Sequence, residues 1–192
     1  MVVIDATMLM PLMRPDIPVP SRKDGLPVEK AKERIDYLVK QLEKDRQKII
    51  VPTPVLSEIL VRAGAEMSER IIEHLQKFAV FRIEAFDTRA AIEVAAMTRE
   101  LLDSRSRKRG TSNATWTKIK FDRQIVAIAK VTNSTTIYSD DDDVKKIAAR
   151  AKIAVIRLED LPLPPEDAQL GFVLTGAAEG STRRTGDDGG QD

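Results

Sequence analysis

Short apolar runs alternate with stretches in which apolar positions recur every three or four residues, and the rhythm persists to about position 158. Val2-Val3-Ile4 stops at Asp5, the pattern of a buried strand that ends on a polar residue. Ile49-Ile50-Val51, Val80 to Phe86, Thr135 to Tyr138 and Ile153 to Ile156 read as further strands. Between them, Val28, Ala31, Ile35, Leu38, Val39 and Leu42 mark one face of an amphipathic helix. Thr53 followed by Pro54 is an N-cap and a helix-compatible proline, opening a helix that stops near Gly64. Ser68 can cap a helix through Ile71, Leu75 and Phe78, and Asp87 or Thr88 starts another to about Leu102. A helix carrying Phe121, Ile125, Ile128 and Ala129 follows, and the last runs from Val144 to Ala151. Pro11 to Pro27 holds five prolines among charged residues and reads as a loop.

Strands alternating with helices imply an α/β fold with a central, mostly parallel β-sheet flanked by helices. Ligands of such sheets bind outside the carboxyl ends of the strands, so polar residues there carry the most information. Asp5 ends the first strand. Asp140, Asp141, Asp142 and Asp143 end the strand before the last helix. Glu58 and Asp122 sit among apolar neighbours, at places that bring them to the rim of the sheet if both helices pack on it.

Length changes this picture little: 192 residues suit one domain, expected over 1–160, with an extended, partly disordered tail over 161–192. Cysteine is absent, which removes disulfides and thiolate metal sites. No secretion signal is visible at the N-terminus, and every apolar run is shorter than the ~18 residues of a membrane span, so a cytoplasmic protein without a membrane partner is expected. The net charge of +1 leaves any electrostatic signal local. It is concentrated in Ser104 to Lys120, a basic connector with Arg105, Arg107, Lys108, Arg109, Lys118 and Lys120 and no anion. Such a run can neutralise backbone phosphates, and Trp116 within it can stack on an unpaired base; a solvated loop and a core indole are the plainer roles.

Carboxylates without cysteine, and with a single histidine, suit a hard cation such as Mg²⁺ or Mn²⁺ rather than zinc. The chemistry they offer is phosphodiester hydrolysis. His74 lies among helical apolar residues and reads as structural. Each acid also has a bland role. Asp5 can cap a turn, Asp122 can cap its own helix, Glu58 can face solvent, and Asp142 or Asp143 can meet the positive end of a helix dipole.

Four motifs in order resemble the PIN-domain nucleases, and among them the single-domain VapC-type toxins. They are "VVIDATML" with Asp5 and Thr7, "VPTPVLSEIL" with Glu58, "KFDRQIVAIAK" with Asp122, and "TTIYSDDDDV" with Ser139 and Asp141. The resemblance implies a parallel sheet flanked by helices and an acidic quartet, Asp5, Glu58, Asp122 and Asp141, holding Mg²⁺ or Mn²⁺. Thr7 and Ser139 are its supporting hydrogen-bonding groups. Asp140 and Asp143 compete for the ligand position in the last motif. It further implies metal-dependent cleavage of RNA, a homodimer, and a cognate antitoxin that blocks the site. Two other readings stand beside it: a catalytically silent PIN-fold module that binds RNA or protein, and a receiver-type phosphotransfer domain. The latter expects paired acids after the first strand, where this chain offers Asp5 alone.

Overall fold

Val3, Ile4, Ile50, Val51 and Ile137 are inaccessible to solvent, as β-branched residues must be in strands covered by helices on both faces. The computed structural model describes residues 1–14, 18, 20–22, 24–107 and 116–165, leaving aside the side chains of 101–120. In chain order the elements are β1 (Val2–Ile4), α1 (Ala6–Met13), α2 (Ala31–Lys44), β2 (Ile49–Pro52), α3 (Thr53–Ala63) and α4 (Ala65–Lys77). There follow β3 (Phe81–Glu84), α5 (Thr88–Arg107), α6 (Trp116–Val131), β4 (Thr136–Tyr138), α7 (Asp142–Arg150), β5 (Ala154–Ile156) and a 3-10 turn over Leu158–Asp160.

The strands form one sheet in the order β3-β2-β1-β4-β5, and every pairing is parallel. The chain therefore starts at the centre, winds outward through β2 to β3, and returns to the other side of β1 for β4 and β5. This reversal opens a crevice beyond the carboxyl ends of β1 and β4, where doubly wound sheets bind their ligands.

Helix α6 packs on α3, α5, α7 and the three central strands. Its segment Ile125 to Ala129 is buried at every position, so it is apolar all round rather than along one stripe. Helices α2, α4 and α7 are amphipathic instead, burying Ile35, Leu38 and Leu42, Ile71 and Leu75, and Val144 and Ala148 respectively.

Several expected boundaries are corrected. Pro11 does not open a loop but lies within α1, which Asp5 caps. Its missing N–H costs this eight-residue helix one bond, the one the Thr7 carbonyl would accept. Helix α4 begins at Ala65 rather than at Ser68, directly after Gly64, whose φ of 78° turns the chain sharply between α3 and α4. The connector Ser104 to Lys120 is helical at both ends, since α5 continues to Arg107 and α6 starts at Trp116. The expected tail beyond residue 165 lies outside the described residues, and no described helix is long and apolar enough to cross a membrane.

Candidate metal centre and active site

Asp5 is the first residue after β1 and is 4% exposed. Its Oδ1 accepts the Ala6 N–H at 2.7 Å, which caps α1, while Oδ2 accepts the Ser139 hydroxyl at 2.7 Å and the Thr7 hydroxyl at 3.3 Å. Burial pushes this carboxyl above the ordinary carboxylate range. The bonds from Ser139 and Ala6 oppose that rise, and the negative charge of Glu58 adds to it.

The turn after β4 is locked onto the turn after β1 by two hydroxyls. Ser139 Oγ accepts the Asp141 N–H at 3.1 Å while donating to Asp5, and Thr7 Oγ1 accepts the Asp140 N–H at 3.2 Å. Parallel pairing of Ile4 with Tyr138 puts these turns side by side, so the contacts follow from strand register.

Alternate members of the aspartate run face opposite ways. Asp140 Oδ1 accepts the Leu158 N–H at 2.9 Å, and Asp142 forms an ion pair with Arg157. Both thus hold α7 and its preceding turn to the chain after β5. Burial raises the Asp140 carboxyl, partly offset by the Leu158 bond and the Arg157 charge. Asp141 and Asp143 point the other way. Asp141 caps α7 by accepting the N–H groups of Asp143 at 2.7 Å and Val144 at 3.4 Å. Asp143 also receives Lys146 at 2.9 Å.

Asp122 meets this second pair from α6. It lies inside that helix, 6% exposed, so it is not the cap of its own helix. Carboxylate oxygens of Asp122, Asp141 and Asp143 all lie within 4.8 Å of one another. Three carboxylates so close repel one another unless a cation joins them. The donors are all carboxylate oxygen, which fits Mg²⁺ or Mn²⁺ better than a softer ion.

The four acids of the sequence motifs, Asp5, Glu58, Asp122 and Asp141, line one cavity of about 470 Å³. They differ in posture. Asp122 and Asp141 stand in the tight group with Asp143, Asp5 is held behind Ser139, and Glu58 on α3 is exposed and paired with Arg62 at 2.6 Å. Asp140 is turned out of the group. Arg62 was not singled out in the sequence, although the Glu58/Arg62 spacing of four residues on one helix is a readable pairing signal. Of the basic segment, Arg105 and Arg107 fall on α5 and Trp116, Lys118 and Lys120 on α6, but their side chains are outside the described part; Lys108 and Arg109 lie outside the described residues altogether. Lys118 and Lys120 share with Asp122 the first two turns of α6.

No family model matches the sequence, and no curated protein matches it. Solved structures do resemble it. VapBC2 from Rickettsia felis, bound to a DNA fragment from its promoter, superposes with a TM-score of 0.52 at 13% identity, covering 81% of this chain and 97% of the other. DNA-bound VapBC from Salmonella typhimurium gives a TM-score of 0.52 at 13% identity, with 82% and 97% covered. With its five-stranded parallel sheet and the seven helices described around it, the chain has the PIN-like α/β/α fold of these VapBC structures.

Proposed function

We propose that the protein is a Mg²⁺- or Mn²⁺-dependent endoribonuclease and the toxin of a toxin–antitoxin pair. The observation that carries this reading is the convergence of Asp122, Asp141 and Asp143 within 4.8 Å, two of which, Asp122 and Asp141, line a cavity with Asp5 and Glu58 at the switch point of the sheet. Asp122, Asp141 and Asp143 would hold the ion, with Asp5 and Glu58 completing the acidic wall. When bound, the dication supplies Lewis-acid activation of water and neutralises charge on the phosphoryl oxygens. The rest falls to the chain's own groups. Ser139 and Thr7 fix the Asp5 carboxylate through hydroxyl bonds, so that it enters the reaction without first having to be ordered. Asp140 and Asp142 hold the α7 turn from behind, which keeps Asp141 and Asp143 aimed at Asp122. The basic segment Arg105 to Lys120 precedes Asp122 in the chain and guides the RNA toward the acids.

Partners follow from the same comparison. The VapBC assemblies of similar fold support a cognate antitoxin for this chain, and a homodimer in the cytoplasm is part of the proposal. The test is direct: purified protein should cut single-stranded RNA with Mn²⁺ or Mg²⁺, and a chelator should stop it. Intact RNA after incubation with either ion, alongside retained RNA binding, would instead identify a catalytically silent module.

A further inference from the structure

The cavity is larger than an ion requires. A cation with six waters takes on the order of 200 Å³, at about 30 Å³ per water, whereas about 470 Å³ is open beside the carboxylates. Two residues lining it are apolar yet turned to solvent, Val61 at 81% and Phe121 at 48% exposure. Scattered apolar residues on a surface mean little. These two are not scattered: Val61 follows Glu58 by three residues on α3, and Phe121 immediately precedes Asp122 on α6. Beside Val61 stands Arg62, the one cationic side chain among the described residues lining the cavity.

Arg62 holds Glu58 at 2.6 Å, and the two side chains are 57% and 43% exposed. An exposed pair of this kind is worth little, so a stronger cation can take the carboxylate from it. A dication beside Asp122 and Asp141 is such a competitor, and it would release a guanidinium at the edge of the same cavity. A planar guanidinium suits a phosphate, to which it can bond through two N–H groups. Nearby, the Phe121 ring offers a face of the size a nucleobase stacks on, without preference for its identity. A base stacked on Phe121 must be free of its own stack, which favours unpaired RNA over a duplex.

We propose that Arg62, Val61 and Phe121 form a subsite for one unpaired nucleotide flanking the phosphodiester to be cut. Its base lies on Phe121 and its phosphate on Arg62, which exchanges Glu58 for that phosphate when the metal arrives. This rests on the nuclease reading above.

The test uses a short single-stranded RNA whose cleaved bond has been mapped with the wild type, together with versions made abasic on either side of that bond. Calorimetry with Mn²⁺ alone should show Arg62→Gln binding the ion more tightly, by up to about fivefold, because Glu58 is no longer shared. For the intact RNA, KM should rise about tenfold in Arg62→Gln and in Phe121→Ala, with kcat nearly unchanged. With the RNA abasic at the recognised position, Phe121→Ala and wild type should have the same KM. Both positions are exposed, so thermal melting should match the wild type. If the wild type cleaves but both variants keep its KM, or if Phe121→Ala weakens intact and abasic RNA equally, the subsite is refuted while the nuclease stands. If the wild type fails to cleave, both fall.

Discussion

Replacing Asp122 by asparagine is expected to lower RNA cleavage about a thousandfold or more while leaving the protein folded. Asp122 is the member of the close carboxylate group contributed by α6, and it is nearly buried, so no neighbouring acid can swing into its place from solvent. Asparagine keeps its shape but removes the charge. A thousandfold corresponds to about 4 kcal/mol of barrier, within the several kcal/mol that a bound dication contributes to transition-state charge. Because asparagine matches its shape and removes one of three repelling charges, the metal-free variant should melt within about 4 °C of wild type. Single-turnover cleavage at saturating Mn²⁺, with a melting curve in chelator, reads both quantities. Cleavage within about tenfold of wild type would remove Asp122 from the centre.

Asp5→Asn should separate activity from stability in the opposite direction to most buried substitutions. Burial, reinforced by Glu58, raises the Asp5 carboxyl above its ordinary range. The folded chain therefore keeps a proton that the unfolded chain has already lost. Its contribution to stability is fully present below the ordinary carboxylate pKa and is lost as pH rises through the raised one. At neutral pH, without metal, Asp5 is therefore a net cost to the fold compared with a neutral group of the same shape. Asparagine can still accept the Ala6 N–H and can turn its amide toward Ser139 Oγ. In chelator at neutral pH the variant should melt about 2–4 °C above wild type, the response to about 1 kcal/mol at this size. The gap should close in acid, and cleavage should fall at least about a hundredfold. A variant that melts lower than wild type at neutral pH would mean that the Asp5 charge is stabilised by its surroundings even without a cation.

How much of this was legible before the structure depended on what each residue's role is made of. Strands β1, β2 and β4 announce themselves because parallel strands covered on both faces must be β-branched runs, and Asp5 is informative because it ends one of them. Helix α1 escaped notice because Met8, Leu9 and Met10 are consecutive and all buried, giving no helical period, and Pro11 reads as a breaker. The same loss of period in Ile125 to Ala129 left open whether Asp122 begins α6 or lies within it. The aspartate run was the hardest case. Which of its members face Asp122 is decided by Leu158 and Arg157, 18 and 15 residues away, which take Asp140 and Asp142 to the other side. No local pattern encodes that choice, since every residue in the run is identical.

A crystal of the protein soaked in Mn²⁺ and measured at a wavelength where manganese scatters anomalously tests the metal centre most directly. An anomalous peak about 2.1 Å from carboxylate oxygens of Asp122, Asp141 and Asp143 is expected, with the Glu58 side chain moved off Arg62. A cavity without manganese at millimolar concentration, with these carboxylates turned apart, would contradict it.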